Sequence, residues 1–258
     1  YILCIIIIMI DYIYYINLKE RGAKKLFMEH QLSNIGISYS RFEAIRPTEE
    51  SMKKRGEHYS FYKRNRFDKA KVCMGESYIP SNYHYGTLGC YLSHYFLLKE
   101  IAKSSFSNVL VLEDDCDLSN GKALTEIQNA FYDYLIPDDW DIVRSTWSSK
   151  EELNKINYCH PLSRKFKKTH TCNLLRDINY KYLNNKSQNP IVHTLYGGTH
   201  FQLINQQSAQ KIIDYLDSDI ILPIDAMYTT DAVNVYHAKF EARSVNMGSD
   251  IHSESQSS

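Results

Sequence analysis

Glu113, Asp114 and Asp115 are the residues of this chain best suited to chemistry: three consecutive acids that end the apolar run Val109 to Leu112. In an extended backbone Glu113 and Asp115 point to the same side. Two unit charges about 5 Å apart at an effective dielectric of about 20 repel by roughly 3 kcal/mol, so something must relieve them. A divalent cation held by oxygen ligands would do so, and in nucleotide-using enzymes such a cation also bridges to substrate phosphates. Protonation of one carboxyl is the other escape, and it would make the pair a general acid and base, as in glycoside hydrolysis. A structural reading stands beside both: the acids open a solvated turn, with Asp117, Ser119, Asn120 and Gly121 supplying turn and capping groups.

The element that must position these acids is the run before them. Val109 to Leu112 is short, wholly apolar and partly β-branched, the pattern of a strand buried on both faces of a parallel sheet. Its carboxyl edge then carries the acids, and in open α/β sheets that edge is where ligands bind.

Upstream, Ile10 to Leu18 reads as a buried strand. Lys24 to Ile35 carries Phe27, Met28, Leu32 and Ile35 at helical spacing, with Gly36 placed for a left-handed C-cap. Ile37 to Ile45 returns as a second strand, completing a β-α-β unit that sets the fold class as α/β. Tyr1 to Ile10 is almost continuously apolar but too short to span a bilayer alone. It reads as part of a long first strand, interrupted by Asp11, or as the visible end of an upstream anchor.

Arg46 to Tyr85 loses periodicity and gains the basic clusters Lys53 to Arg55 and Lys63 to Arg66, which are solvated faces or contacts to a pyrophosphate or acceptor. Gly86 to His94 begins a helix with Leu88, Leu92, Tyr95 and Phe96 on one face, and its two glycines would let backbone approach a ligand near the helix start. Beyond the acids, Lys122 to Leu135 is helical and Trp140 to Val143 is a short strand. Lys150 to Asn189 is polar, basic and aperiodic, the pattern of a functional loop or of a partly disordered segment. Ser208 to Leu216 places Ala209, Ile212, Ile213 and Leu216 on one core-facing stripe. Asp225, after another apolar run, is either a base in the cleft or an N-cap over Ala226 to Tyr228. Val233 to Val245 closes the strands, and Ser253 to Ser258 frays.

The bulk composition bounds the function. A chain of 258 residues with 43% hydrophobic residues fits one sizeable globular domain, here taken as residues 1–251 with a disordered tail at 252–258. Thirty basic and thirty acidic residues leave no net field to attract nucleic acid, so any anion site is local. The six cysteines form no Cys-x-x-Cys pair, which argues against a structural zinc site and a disulfide framework. They fit a reducing, cytoplasmic compartment, with membrane association if an anchor precedes Tyr1.

The order of these pieces resembles glycosyltransferase family 25, which includes bacterial lipooligosaccharide galactosyltransferases and collagen galactosyltransferase domains. The likeness is carried by Ile16-Asn17-Leu18 with Arg21, Gly36-Ile37, Arg41 to Ile45, Gly89 to His94, Leu112 to Asp115, Pro223-Ile224-Asp225 and Ser249-Asp250-Ile251. It implies a GT-A type α/β domain, with a mixed, mostly parallel sheet flanked by helices. It also implies transfer of a hexose, with inversion, from a UDP-sugar such as UDP-galactose to a glycan or glycoconjugate hydroxyl, with Mn²⁺ or Mg²⁺. On that resemblance Asp115 is the direct metal ligand, with Glu113 toward the metal or the ribose, while Ser249-Asp250, followed by His252, closes over the diphosphate or completes the metal shell. Asp114, Asn17 and Arg21 line the donor pocket, His94 lines it with them or is a satisfied core histidine, and Asp225 is the general base. Three stretches depart from the family pattern. Lys19 to Lys25 lacks the usual Ser-Asp-Arg-Arg character, Arg46-Pro47 replaces an expected Asp-Gly, and Gly197 to Phe201 keeps the glycines but not the usual small-residue and tyrosine pattern, which bears on the acceptor. A non-catalytic glycan- or partner-binding relative with the same fold is the alternative.

Overall fold

The computed structural model describes residues 10–47, 83–119, 122–132, 138–146, 191–192, 199–217, 224–228, 233–241 and 243–244. The basic clusters of 53–66, the 150–189 segment, Gly197, Gly198, Pro223, Ser249, Asp250 and His252 lie outside them.

Seven strands form one sheet in the order β2-β1-β3-β7-β5-β8-β6. They are β1 (Tyr12–Asn17), β2 (Tyr39–Glu43), β3 (Asn108–Glu113), β5 (Ile142–Thr146), β6 (Ile191–Val192), β7 (Phe201–Asn205) and β8 (Val235–Glu241). β1 is parallel to β2 and β3, and β5 is parallel to β8, while β7 and β6 run against their neighbours. The result is a mixed sheet in which most strands share a direction, as the α/β reading expects. A two-stranded ribbon, β4 (Cys116–Asp117) against β9 (Arg243–Ser244), hangs from the end of β3.

Helices cover both sheet faces. On one lie α2 (Tyr83–Lys103), α4 (Ala209–Leu216) and the single turn α5 (Ile224–Met227), packed on Val109, Val111, Ile142 and Ile204. On the other lie α1 (Gly22–Leu32) and α3 (Lys122–Tyr132), packed on Leu110, Leu112, Val143, Phe201 and Leu203. Successive residues of β3 therefore enter different cores, which is why the strand is apolar throughout. At about 25 cal/mol per Å² of apolar surface, each of these buried aliphatic side chains contributes roughly 1.5–3 kcal/mol.

Several expected features take a specific structural role. Asp11 Oδ2 accepts hydrogen bonds from the backbone N–H of Ser107 (2.7 Å) and Asn108 (2.8 Å), so the acid that interrupts the first apolar run fixes the entry into β3. Gly36, at φ 76°, adopts the left-handed conformation its position after α1 calls for. Ala209, Ile212, Ile213 and Leu216 are all buried, and α4 is tied to α2 by Tyr95 Oη, which donates to Asp217 Oδ1 at 2.7 Å.

The helix carrying His94 begins earlier than expected. α2 starts by Tyr83, so Gly86 and Gly89 sit inside it rather than at its start. Gly89 serves chain packing: a Cβ there would lie 2.6 Å from the carbonyl oxygen of Ile45 and 3.0 Å from Pro47 Cδ. The Ile45 N–H donates to Ser93 Oγ at 2.8 Å, so the segment leaving β2 lies directly against the helix. Among the described residues no helix is long and apolar enough to cross a membrane.

Candidate functional site

The acidic end of β3 divides into two environments, because the strand ends at Glu113 and Asp114 and Asp115 form a turn into β4. Register then decides the neighbours. Ile16 lies beside Glu113, so Asn17 at the end of β1 is level with Asp114.

Asp114 belongs to the β1–α1 side. Its Oδ2 accepts from Asn17 Nδ2 at 2.8 Å and its Oδ1 pairs with Lys24 Nζ at 3.0 Å. The Lys24 and Asp114 side chains are only 8% and 15% exposed, so this pair is largely screened from water. Lys24 is on the inward stripe of α1 with Met28 and Leu32, four and eight residues on, which directs its ammonium at the turn. Asn17 Nδ2 also donates to the Arg21 carbonyl at 3.2 Å, and its Oδ1 lies 3.5 Å from Arg41 Nη1. Asn17, Arg21 and Asp114 are thus brought together around one buried amide. Gln31 of α1 secures the strand beyond the turn, donating to the Cys116 carbonyl (3.2 Å) and accepting from the Leu118 N–H (2.6 Å).

Glu113 faces the α2 side. Its Oε1 lies 3.2 Å from His94 Nε2, within bonding range of the Thr199 hydroxyl and 3.9 Å from Cys90 Sγ. An ionised carboxylate only accepts, so Nε2, Oγ1 and Sγ all present hydrogens to it. Burial alone would raise the Glu113 pKa. The hydrogen bond from His94 and its charge, then Thr199 and the charge of His200, outweigh it and hold the carboxyl down at about 2. Burial, with the charges of Glu113 and Asp225, pushes the Cys90 thiol well up.

Cys90, His94 and Glu113 hold ligand atoms within 4.8 Å of one another, the spacing of a metal centre. As arranged they donate hydrogens inward to Oε1, and a cation at their centre would have to displace protons from both sulfur and nitrogen. The other carboxylate oxygen suits a hard cation better. Among the described residues Oε2 makes no hydrogen bond, the side chain is 29% exposed, and Asp115 follows in the same turn. Oxygen donors of this kind fit Mn²⁺ or Mg²⁺.

Asp225 sits in the first turn of α5, within the helix and not as its N-cap. Its charge and that of Glu113 both reach Cys90 and Arg144, so the two carboxylates share one neighbourhood on the α2 face of the sheet. The structure thereby gathers Glu113, His94 and Asp225 on that face, and Asn17, Arg21 and Asp114 on the α1 side. His252 is outside the described residues.

Five residues of this region escape sequence reasoning: Lys24, Cys90, Thr199, Arg144 and Gln202. Arg144 and Gln202 lie opposite one another on β5 and β7, 1% and 0% exposed. The signal for both is a polar side chain inside an otherwise apolar strand, in Ile142-Val143-Arg144 and Phe201-Gln202-Leu203-Ile204, where polar residues are rarely buried without a reason. Lys24 gives no such signal, since a lysine in a helix is ordinarily a solvated residue.

The fold and the carboxylate-bearing edge define an α/β domain of glycosyltransferase type, and comparison with known proteins specifies it. The family model "Glycosyltransferase family 25 (LPS biosynthesis protein)" matches residues 10–228, and the chain belongs to that family. A "Glycosyltransferase 25 family member" of Drosophila melanogaster is 31% identical over 114 residues, covering 41% of this chain and 16% of the relative. One of the same description from Drosophila pseudoobscura pseudoobscura is 28% identical over 114 residues, with the same coverage. The matched stretch is thus a small part of these longer relatives.

Proposed function

We propose that this chain is an inverting, metal-dependent glycosyltransferase that moves a hexose from a UDP-sugar, with UDP-galactose the first donor to test, to a hydroxyl of a glycan or glycoconjugate. The observation that carries the reading is the Glu113 carboxylate. It is kept ionised by His94 and Thr199 at the carboxyl edge of β3, with one oxygen turned to the rim and Asp225 in the same electrostatic neighbourhood.

Each residue type suits its task. Glu113 Oε2 and Asp115 would hold a divalent cation, which when bound offsets the charge gathering on the leaving diphosphate. Asn17, with the Arg21 carbonyl and the Lys24–Asp114 pair, keeps the β1–α1 turn rigid beside that edge, where a nucleotide would lie. His94 and Thr199 hold Glu113 charged and oriented, so the oxygen facing the rim stays a strong ligand over the physiological range. Asp225 takes the proton of the acceptor hydroxyl as the new glycosidic bond forms, leaving the anomeric carbon inverted.

Membership of the family and the paired carboxylates support the transferase over the glycan-binding alternative. The test is release of UDP from a panel of UDP-sugars with Mn²⁺, with and without chelator. Chelator-sensitive release from at least one donor is expected. Absence of turnover together with absence of metal-dependent UDP binding refutes the assignment.

A further inference from the structure

Among the described residues, three polar side chains on the α2 face of the sheet find no hydrogen-bond partner. All three guanidinium nitrogens of Arg144, both amide atoms of Gln202 and the hydroxyl of Tyr228 are buried without a hydrogen bond. They are neighbours. Arg144 and Gln202 pair across β5 and β7, and the Arg144 guanidinium lies 5.6 Å from the centre of the Tyr228 ring. Tyr228 follows α5, three residues after Asp225.

A lone orphaned atom is tolerable, but this is a concentration of them, and it includes a charge that a protein interior does not neutralise by losing its proton. The charges of Asp225 and Glu113 act on Arg144 without hydrogen-bonding it. The three side chains also do not satisfy each other, although Gln202 Oε1 and the Tyr228 oxygen are both acceptors for a guanidinium N–H. Together they offer far more donors than acceptors. What completes such a set is a compact group rich in acceptor oxygens and negatively charged, and the planar fork of arginine matches a phosphate or carboxylate in two-point contact.

We infer that Arg144, Gln202 and Tyr228 form a buried oxyanion-binding subsite that takes a phosphate or carboxylate group of the enzyme's substrates. The inference rests on the transferase reading for what those substrates are, since Asp225 and Glu113 of that site border the guanidinium. Two sources supply the same chemistry: the diphosphate of the sugar donor, and the carboxylate of an acidic sugar in the acceptor or donor.

Calorimetric titration of the full chain with inorganic pyrophosphate, UDP and glucuronic acid, each with chelator present, separates the sources. Binding of pyrophosphate and UDP assigns the subsite to the donor phosphates, and binding of glucuronic acid assigns it to an acidic sugar. Arg144→Met is expected to weaken the binding tenfold or more, and Tyr228→Phe, which deletes one oxygen and keeps the ring, several-fold. The ligand-free Arg144→Met protein is expected to melt no lower than wild type, because a buried charge whose nitrogens make no hydrogen bond among the described residues has been removed. A guanidinium with a purely structural role would lower the Tm instead.

Failure of all three probes to bind the wild type overturns the inference, as does binding that neither variant changes. If Arg144→Met is less stable than wild type, Tyr228→Phe decides: several-fold weaker binding upholds the subsite, and unchanged binding overturns it. Oxyanion binding lost in the variants of a protein that turns over no donor would uphold the subsite and remove the transferase reading. Metal-dependent turnover with binding unmoved by either variant would do the reverse.

Discussion

Replacement of Glu113 by Gln tests whether the carboxylate at the end of β3 is held charged by its surroundings. Burial works against the charge, and His94, Thr199 and His200 reverse that effect, bringing the carboxyl from an ordinary 4.5 to about 2. At about 1.4 kcal/mol for each tenfold change in acid constant, this stabilises the folded state by about 3 kcal/mol at pH 7, an upper figure because the side chain is partly exposed. The sign follows from the depressed value. The stabilisation is fully present above 4.5, where the carboxyl is ionised in both folded and unfolded chains, and it disappears as the pH falls toward 2. By pH 3 about half of it should be gone. Urea unfolding of wild type and Glu113→Gln between pH 7 and pH 3 gives the measurement. The wild type should be more stable at pH 7, with a gap that narrows steadily below pH 4.5. A gap that stays constant down to pH 3 would refute the reasoning, since a neutral hydrogen-bonding role for Glu113 has no such pH dependence.

Three further outcomes are expected. Lys24→Met leaves Asp114 as an unpaired, mostly buried acid and should cost about 3–5 kcal/mol, with much of the loss recovered in the Lys24→Met/Asp114→Leu double variant; a chemical-denaturation double-mutant cycle measures both. Gly89→Ala would gain about 1 kcal/mol from helix propensity alone, yet the new methyl meets the Ile45 carbonyl, so a net loss of about 1–3 kcal/mol in thermal unfolding is expected, and a more stable variant contradicts the packing described. Asp225→Asn should lower the transfer rate by about a hundredfold or more while donor affinity, read by UDP titration with Mn²⁺, changes little; equal loss of both would move Asp225 from base to donor ligand.

Elements whose local pattern and burial agree are legible in the sequence. The β3 run is apolar because Val109 and Val111 fill one core while Leu110 and Leu112 fill the other. The stripe of α4 is helical spacing with all four members buried, and Gly36 carries the positive φ its position requires. The glycines near His94 misled for a physical reason: glycine before a helix and glycine inside one look alike until the partner that needs the missing Cβ, here the Ile45 carbonyl, is in place.

The identity of the acids, and their place at the end of a buried strand, is a property of the sequence, because hydrophobic patterning and backbone alternation are local rules. Which partner each acid receives is not local. Asp114 is 90 residues from Lys24 and Glu113 is 86 from Thr199, and only the register of β1 with β3 and of β3 with β7 brings those side chains together. The same holds for Arg144, Gln202 and Tyr228, three unrelated positions along the chain that become buried neighbours because two strands and a helical turn converge there. Charge acts through space, so the tertiary structure alone decided which carboxylate is bound into the fold and which has an oxygen left at the rim.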